Sequence, residues 1–216
     1  MMLSPRFNEA LSYAAALHAQ QRRKLSGEPY LAHLLAVAAL VMEHGGSEDE
    51  AIAALLHDAV EDQGGLPTLD EIRRRFGSTV ADIVEGCTDA VVSPKPPWRQ
   101  RKEAYLARLH NASASIRLVS AADKLHNARA ILREYRRIGE ALWPNFRGGR
   151  DGTLWYYRAV VETLKTSSPL PLGEGPGVRA EEIAKPTMPS PAAAHSLVEE
   201  LDRTVTEIER LAQFSS

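Results

Sequence analysis

"AALLHDAVEDQGG", residues 53–65, decides how this chain reads. Its opening residues are apolar and favour a helix, and Ser47 and Glu50 stand upstream at capping-box spacing. The stretch from Ser47 to the Gly64-Gly65 stop is therefore predicted as one helix. Within it sit His57, Asp58, Glu61 and Asp62. Residues four apart share a helix face, which puts His57 over Glu61 and Asp58 over Asp62. A carboxylate in an apolar setting is costly unless it is paired or bound to a metal, so the rest of the chain must supply the partner.

Helical periodicity runs through most of the sequence. "SPRFNEALSYAAALHAQQRR" starts with Ser4 as a cap and Pro5 at the first helical position. "PYLAHLLAVAALVMEHGG" opens at Pro29 and stops at Gly45-Gly46. "TLDEIRRRF", "STVADIVEGCTDA" and "WRQRKEAYLARLHN" follow as shorter helices. "SASIRLVSAADKLHNARAILREYRRIG" is long and apolar on one side, its "SIRLVSA" being the one segment of ambiguous, β-branched character. "DGTLWYYRAVVETLK" and "SLVEELDRTVTEIERLA" complete the set, and no alternating strand or Asn-Gly hairpin signal occurs. The expectation is an all-α, multi-helix bundle forming a single domain over residues 1–216.

Residues 166–194 differ from the rest: six of the thirteen prolines and three glycines fall in that stretch. Proline at that density opposes a helix, so the stretch reads as a disordered insert. Beyond it, Ser196–Leu211 carries an apolar stripe at Leu197, Val198, Leu201, Val205, Ile208 and Leu211, predicted to dock back on the core.

Two further helices carry oddities that match the opening one. His33 falls inside the apolar "YLAHLLAVAAL", and Asp123 inside "VSAADKLHNARAIL" with Asn127 four residues on. Singly, each has a bland reading: a satisfied core histidine, a solvated Asp-Lys pair, or surface charge near a helix end. Together, His33, His57, Asp58 and Asp123 are two imidazoles and two carboxylates from three helices, the way helical bundles build metal sites. Nitrogen and oxygen donors without thiolate suit Mn²⁺, Fe²⁺ or Zn²⁺ with open positions. Such an ion acidifies water and polarises a phosphoryl oxygen, and Glu61 and Asp62 would lie just beyond it, placed to orient or deprotonate that water.

The totals exclude several classes. A net charge of −2 gives no pull toward nucleic acid or a polybasic membrane anchor. No apolar run approaches the ~20 residues of a membrane span. The basic cluster follows the apolar part of the N-terminus, the reverse of a secretory signal. The lone Cys87 forbids an internal disulfide and reads as a small buried hydrophobe. A cytoplasmic setting is expected.

The order His33, His57-Asp58, Asp123 resembles the signature of the HD phosphohydrolases. "HAQQRRKLSGEPYLAH", "LLHDAVED" and "DKLHNAR" are similar to the hydrolase domain of the RelA/SpoT enzymes, and nearest to the short single-domain alarmone hydrolases. The resemblance spans about residues 5–165 and the helix after the insert. It implies an HD-domain bundle with the metal between central helices, and Mn²⁺-dependent removal of the 3′ pyrophosphate from guanosine 3′,5′-bis(diphosphate), ppGpp. By the same resemblance His33, His57, Asp58 and Asp123 match the Mn²⁺ ligands, and Glu61 and Asp62 match the acidic pair that activates water. Asn127 matches an amide that holds the nucleotide, and Arg23 a base or phosphate contact. No synthetase segment follows, which implies a degrading enzyme only.

Leu25 stands as an extra residue against the family pattern, leaving Arg22 and Lys24 as alternatives to Arg23; Ala130 replaces a Thr frequent in the long enzymes. Arg99, Arg101 and Lys102 follow the rigid "PKPP", and Arg101, Lys102 and Lys124 are candidates to reach substrate phosphates. His126 is a candidate partner for a ligand, while Trp155, Tyr156 and Tyr157 read as core. Two rival readings stand beside ppGpp hydrolysis. One is the same chemistry on a nucleoside monophosphate, a dNTP or a 2′-phosphorylated dinucleotide; the other is a nucleotide sensor without turnover.

Overall fold

A computed structural model describes residues 2–89, 94, 96–166 and 191–213. The all-α expectation holds: among these residues only Arg22 and Pro29 make an isolated antiparallel bridge, and everything else regular is helical. The helices are α1 (Pro5–Leu17), α2 (Leu31–Glu43), α3 (Glu48–Leu56), α4 (Ala59–Asp62), α5 (Leu66–Phe76), α6 (Ser78–Cys87), α7 (Trp98–His110), α8 (Ala114–Ile138), α9 (Gly149–Thr166) and α10 (Pro191–Gln213). A 3₁₀ segment, Gly139–Asn145, joins α8 to α9.

Local signals set several boundaries. The Ser4 hydroxyl accepts from the Arg6 N–H, with Pro5 opening α1. Ser47 and Glu50 form the predicted capping box of α3, which satisfies otherwise orphaned backbone donors. The ambiguous "SIRLVSA" lies inside α8, which starts at a Ser113 cap and stops at Gly139.

The core forms around α3. Ala51, Ile52, Ala53, Ala54, Leu55 and Leu56 are all fully buried, as expected of a helix that is apolar on every side. Helices α1, α2, α6 and α8 pack on it, and α2 also packs on α8. The candidate site residues on these three central helices, near the start of α2, just past the end of α3 and within α8, are thereby held by the best-packed part of the molecule.

Two expectations change. The helix predicted from Ser47 to Gly65 is interrupted at His57–Asp58, between α3 and α4. The docking helix predicted for Ser196–Leu211 starts five residues earlier, at Pro191, inside the stretch assigned to the insert. Proline fits the first helical turn because its missing N–H is unpaired there anyway, and Ala192–Ala194 favour a helix. The predicted disorder of residues 167–190 lies outside the described residues. Helix α10 docks as its stripe requires, burying Leu197, Leu201, Val205 and Ile208 against α8 and α9. Ion pairs edge that seam: Arg129–Glu200 and Arg136–Glu207 to α8, and Arg158–Asp202, Arg158–Glu209 and Lys165–Asp202 to α9.

Candidate metal centre and adjoining cleft

The interruption between α3 and α4 shapes the site. Successive residues on a straight helix diverge by about 100°. At Asp58 the backbone turns to φ −98°, ψ −3°, and the His57 Nε2 and Asp58 Oδ2 atoms come within 3.1 Å of each other. The Asp62 N–H donates to the Asp58 carbonyl at 3.0 Å, so Asp58 opens the short α4.

Four side chains from three elements converge there. His33 Nε2 lies 3.7 Å from Asp58 Oδ2 and 3.3 Å from Asp123 Oδ1. His57 Nε2 lies 3.6 Å from the same Asp123 oxygen. Donor atoms about 2.1 Å from one ion, at angles between octahedral and tetrahedral, are about 3.0–3.4 Å apart. His33, His57 and Asp58 form the tightest group, and Asp123 Oδ1 faces both of their ring nitrogens as a fourth potential donor.

The protons explain why an ion fits. His57 Nδ1 donates to the Ala54 carbonyl at 2.8 Å, so Nε2 of the neutral ring carries a bare lone pair. Both His33 Nε2 and His57 Nε2 are buried with no hydrogen-bond partner, and each faces carboxylate oxygens. Lone pairs aimed at lone pairs call for a positive charge between them. Without a metal a proton serves: burial opposes charge on His57, but the Asp58 carboxylate outweighs it and holds the ring well above its usual range. Burial would push the Asp58 carboxyl up, but the His57 charge outweighs it and holds Asp58 well below the usual carboxylate range.

A surrounding layer fixes these donors. The Tyr30 hydroxyl donates to Asp58 Oδ2 at 2.5 Å, and burial together with the Asp58 charge holds that phenol in its protonated form. His33 Nδ1 meets His126 Nδ1 at 2.8 Å. Burial pushes His126 down to about 4, so it stays neutral and accepts. On α8 the Lys124 ammonium pairs with Asp123 Oδ2 at 2.5 Å and the Asn127 amide donates to Oδ1 at 2.5 Å. Arg23 donates to the Asn127 side-chain carbonyl at 2.6 Å and its guanidinium lies 5.7 Å from the Tyr30 ring centre. The predicted metal donors, Arg23, Asn127 and Lys124 are thus one connected cluster.

Glu61 and Asp62 open onto a cleft of about 400 Å³ whose wall includes Lys24, Asp89, Trp98, Arg101, Lys102, Phe146 and Arg147. Glu61 accepts from the Asp89 N–H at 3.3 Å, and Asp62 from the Gln21 amide at 2.7 Å. Burial and the Asp58 charge raise the Asp62 carboxyl above its usual range. Arg101 and Lys102 reach the cleft already paired: both hold the buried Asp89 carboxylate, Lys102 at 3.0 Å. Lys102 is also lowered by burial and by the Lys124 charge.

The HD-domain family matches residues 10–154, two thirds of the chain, and the converging His and Asp side chains lie within that match. The chain belongs to the HD-domain family. As an HD domain it implies a divalent metal, and the His33, His57 and Asp58 group fits one. The guanosine-3′,5′-bis(diphosphate) 3′-pyrophosphohydrolase MESH1 of Xenopus tropicalis is 42% identical over 128 residues, 58% of this chain and 69% of that protein. The enzyme of the same name from Drosophila melanogaster is 36% identical over 165 residues, 75% of this chain and 86% of that protein. A solved structure described as a metazoan ortholog of SpoT that hydrolyzes ppGpp matches with a TM-score of 0.68 at 25% identity, covering 94% of this chain and 97% of that one.

Three polar residues of this HD-domain site escaped the reading of the sequence: Tyr30, Gln21 and Asp89. Tyr30 had a findable signal, standing three residues before His33 and hence on its face. The core reading of the aromatic trio holds for Tyr156, which is buried, whereas Trp155 is half-buried with the Arg99 guanidinium against it. Cys87 is half-buried beside Ser120, and burial pushes its thiol up to about 11.

Proposed function

We propose that this HD-domain chain hydrolyses ppGpp to GDP and pyrophosphate, with Mn²⁺ held by His33, His57, Asp58 and Asp123 and with Glu61 and Asp62 handling the water. One observation carries the reading: two bare imidazole nitrogens face two carboxylates, and the next turn of chain leads an acidic pair into a cleft walled by cations. Relatives 42% and 36% identical bear this activity in their names.

A divalent ion bound there supplies a polarised phosphoryl oxygen and an acidified water. In the reaction the water oxygen bonds to the inner phosphorus of the 3′ diphosphate, and the bond from that phosphorus to the ribose 3′ oxygen breaks. Pyrophosphate departs carrying the water oxygen, and the 3′ oxygen leaves as the hydroxyl of GDP. Asp62, with its carboxyl raised above its usual range, suits accepting the water's proton, and Glu61 orients the water beside it. Arg23 and Asn127 form one unit that presents a guanidinium plane to the nucleotide. Lys24, Lys102 and Arg101 offer positive charge to the phosphates; Arg101 and Lys102 share theirs with Asp89, and Lys124 shares its own with Asp123. A cytoplasmic enzyme of small molecules, without a nucleic-acid or membrane partner, accords with the net charge of −2. No helix among the described residues is long and apolar enough to cross a membrane.

The test incubates purified protein with ppGpp and Mn²⁺ and resolves the products by anion exchange, beside Asp58→Ala and a chelated sample. GDP and pyrophosphate, lost in both controls, are expected. Turnover of another nucleotide in place of ppGpp overturns the substrate and keeps the chemistry. Binding of ppGpp with no turnover of any nucleotide replaces the enzyme with a sensor.

A further inference from the structure

Asp62 stands at the end of a four-residue helix, where a carboxylate turns freely unless another group holds it. The Gln21 Nε2 donates to its Oδ2 at 2.7 Å. An ionised carboxylate only accepts, so this contact sets which way the Gln21 amide faces: nitrogen toward Asp62, oxygen away. On the far side two donors meet that oxygen, Gln63 Nε2 at 2.5 Å and His18 Nδ1 at 2.7 Å. His18 Nδ1 therefore carries a proton, and its Nε2 is buried without a partner. That ring is 2% exposed and stacks on Tyr30 at 5.3 Å, the same tyrosine whose hydroxyl holds Asp58. The backbone closes the unit, with the Tyr30 N–H donating to the Gln21 carbonyl at 2.9 Å.

We propose that Gln21, its amide locked by His18 and Gln63, is a positioning residue for the hydrolysis, holding Asp62 in the rotamer that meets the reacting water. The proposal rests on the reading of Asp62 given above. A carboxylate released from this hold spends most of its time pointing elsewhere, which slows the chemical step and leaves substrate binding alone.

The test is a double-mutant cycle between Gln21→Met and Asp62→Asn, read by steady-state kinetics on ppGpp, by calorimetric titration with Mn²⁺, and by NMR titration of the Asp62 carboxyl in the ion-free protein. Gln21→Met is expected to lower kcat about 10- to 100-fold, the range of losses from removing such supporting contacts. KM and Mn²⁺ affinity are expected to stay within about twofold, and the loss to vanish in the Asp62→Asn background. The Asp62 carboxyl is expected to titrate higher in Gln21→Met, because the Gln21 hydrogen bond opposes burial and the Asp58 charge. An unmoved carboxyl, an unchanged kcat, the same loss in both backgrounds, or a loss matched by weaker Mn²⁺ binding overturns the proposal. Should Gln21→Met fail to fold, Gln21→Glu carries the same cycle and sets a like charge against Asp62. A wild type that turns over no ppGpp refutes the substrate alone, and the carboxyl titration still decides the role of Gln21.

Discussion

Gly148 sits against the six-membered ring of Trp98, where the start of α7 meets the start of α9. A Cβ at that position would stand 2.6 Å from Trp98 Cη2, 2.9 Å from Cζ2 and 3.0 Å from Cζ3. Carbon atoms rest about 3.5–4.0 Å apart, so Gly148→Ala forces a retreat of about 1 Å. The ring is packed edge-on against Trp155 and Tyr156, with centroids 6.3 Å away, and its retreat disturbs both. Overpacking of this kind costs about 1–3 kcal/mol. Stiffening the unfolded chain returns about 0.4–1 kcal/mol, since Gly148 does not require a left-handed backbone. The net is a loss of up to about 2.6 kcal/mol, or up to about 10 °C in Tm for a chain of this length. Trp98 also opens the helix that carries Arg101 and Lys102 into the cleft, so KM for ppGpp is expected to rise as well. Thermal unfolding of Gly148→Ala, Trp98→Leu and the double variant checks the reasoning. With the indole gone the added methyl has room, and its cost is expected to disappear. An effect of Gly148→Ala that is the same in the Trp98→Leu background as in the wild type refutes the steric account.

Divalent metal at about 100 times its Kd is expected to stabilise the fold by about 2.7 kcal/mol, or about 5–11 °C. Thermal scans with Mn²⁺ and with a chelator measure this, and Asp58→Ala is expected to abolish the difference. In the ion-free protein the folded His57 pKa lies above 6.5, so its contribution is complete below that pH and is lost as pH rises through the folded value. Asp58 is depressed, so its contribution is present above 3.8 and is lost as pH falls through the folded value. Denaturant titrations at about pH 6 and about pH 9 should find the ion-free protein weaker at the higher pH. Mn²⁺ affinity should move the opposite way, because the ion needs the unprotonated ring. Tyr30→Phe deletes the 2.5 Å hydrogen bond to Asp58 and is expected to weaken Mn²⁺ binding about tenfold or more by calorimetric titration.

What could be read from the sequence follows the range of the interaction. The caps at Ser4 and Ser47 are made by residues within three positions, so spacing reveals them. The stripe of α10 and the buried donors His33 and Asp123 are legible because each stands out against its own helix. The break at His57–Asp58 was not, since "LLHDAVED" offers no proline or glycine to announce it. Proline density hid the start of α10, although Pro191 suits a first turn. Gln21 and Asp89 look like ordinary surface polarity until the fold brings Asp62 to one, 41 positions away, and Arg101 and Lys102 to the other. A pairing of that kind leaves no local trace, and the positive charge assigned to Arg101 and Lys102 could not be seen to be shared in advance.

The seam between α8 and α10 has a bearing on how each new chain is made. Helix α8 is complete at Ile138, but the helix that covers its outer flank ends at Gln213. Ribosomes add about 5–20 residues each second, so the intervening 75 residues leave that apolar flank open for about 4–15 s. Asp123 and the three donors before it have emerged well before then. The nascent protein therefore passes through a period in which its ion-binding residues are all present while one side of their longest support is still bare, and whatever shields hydrophobic surface during translation has its work at that moment.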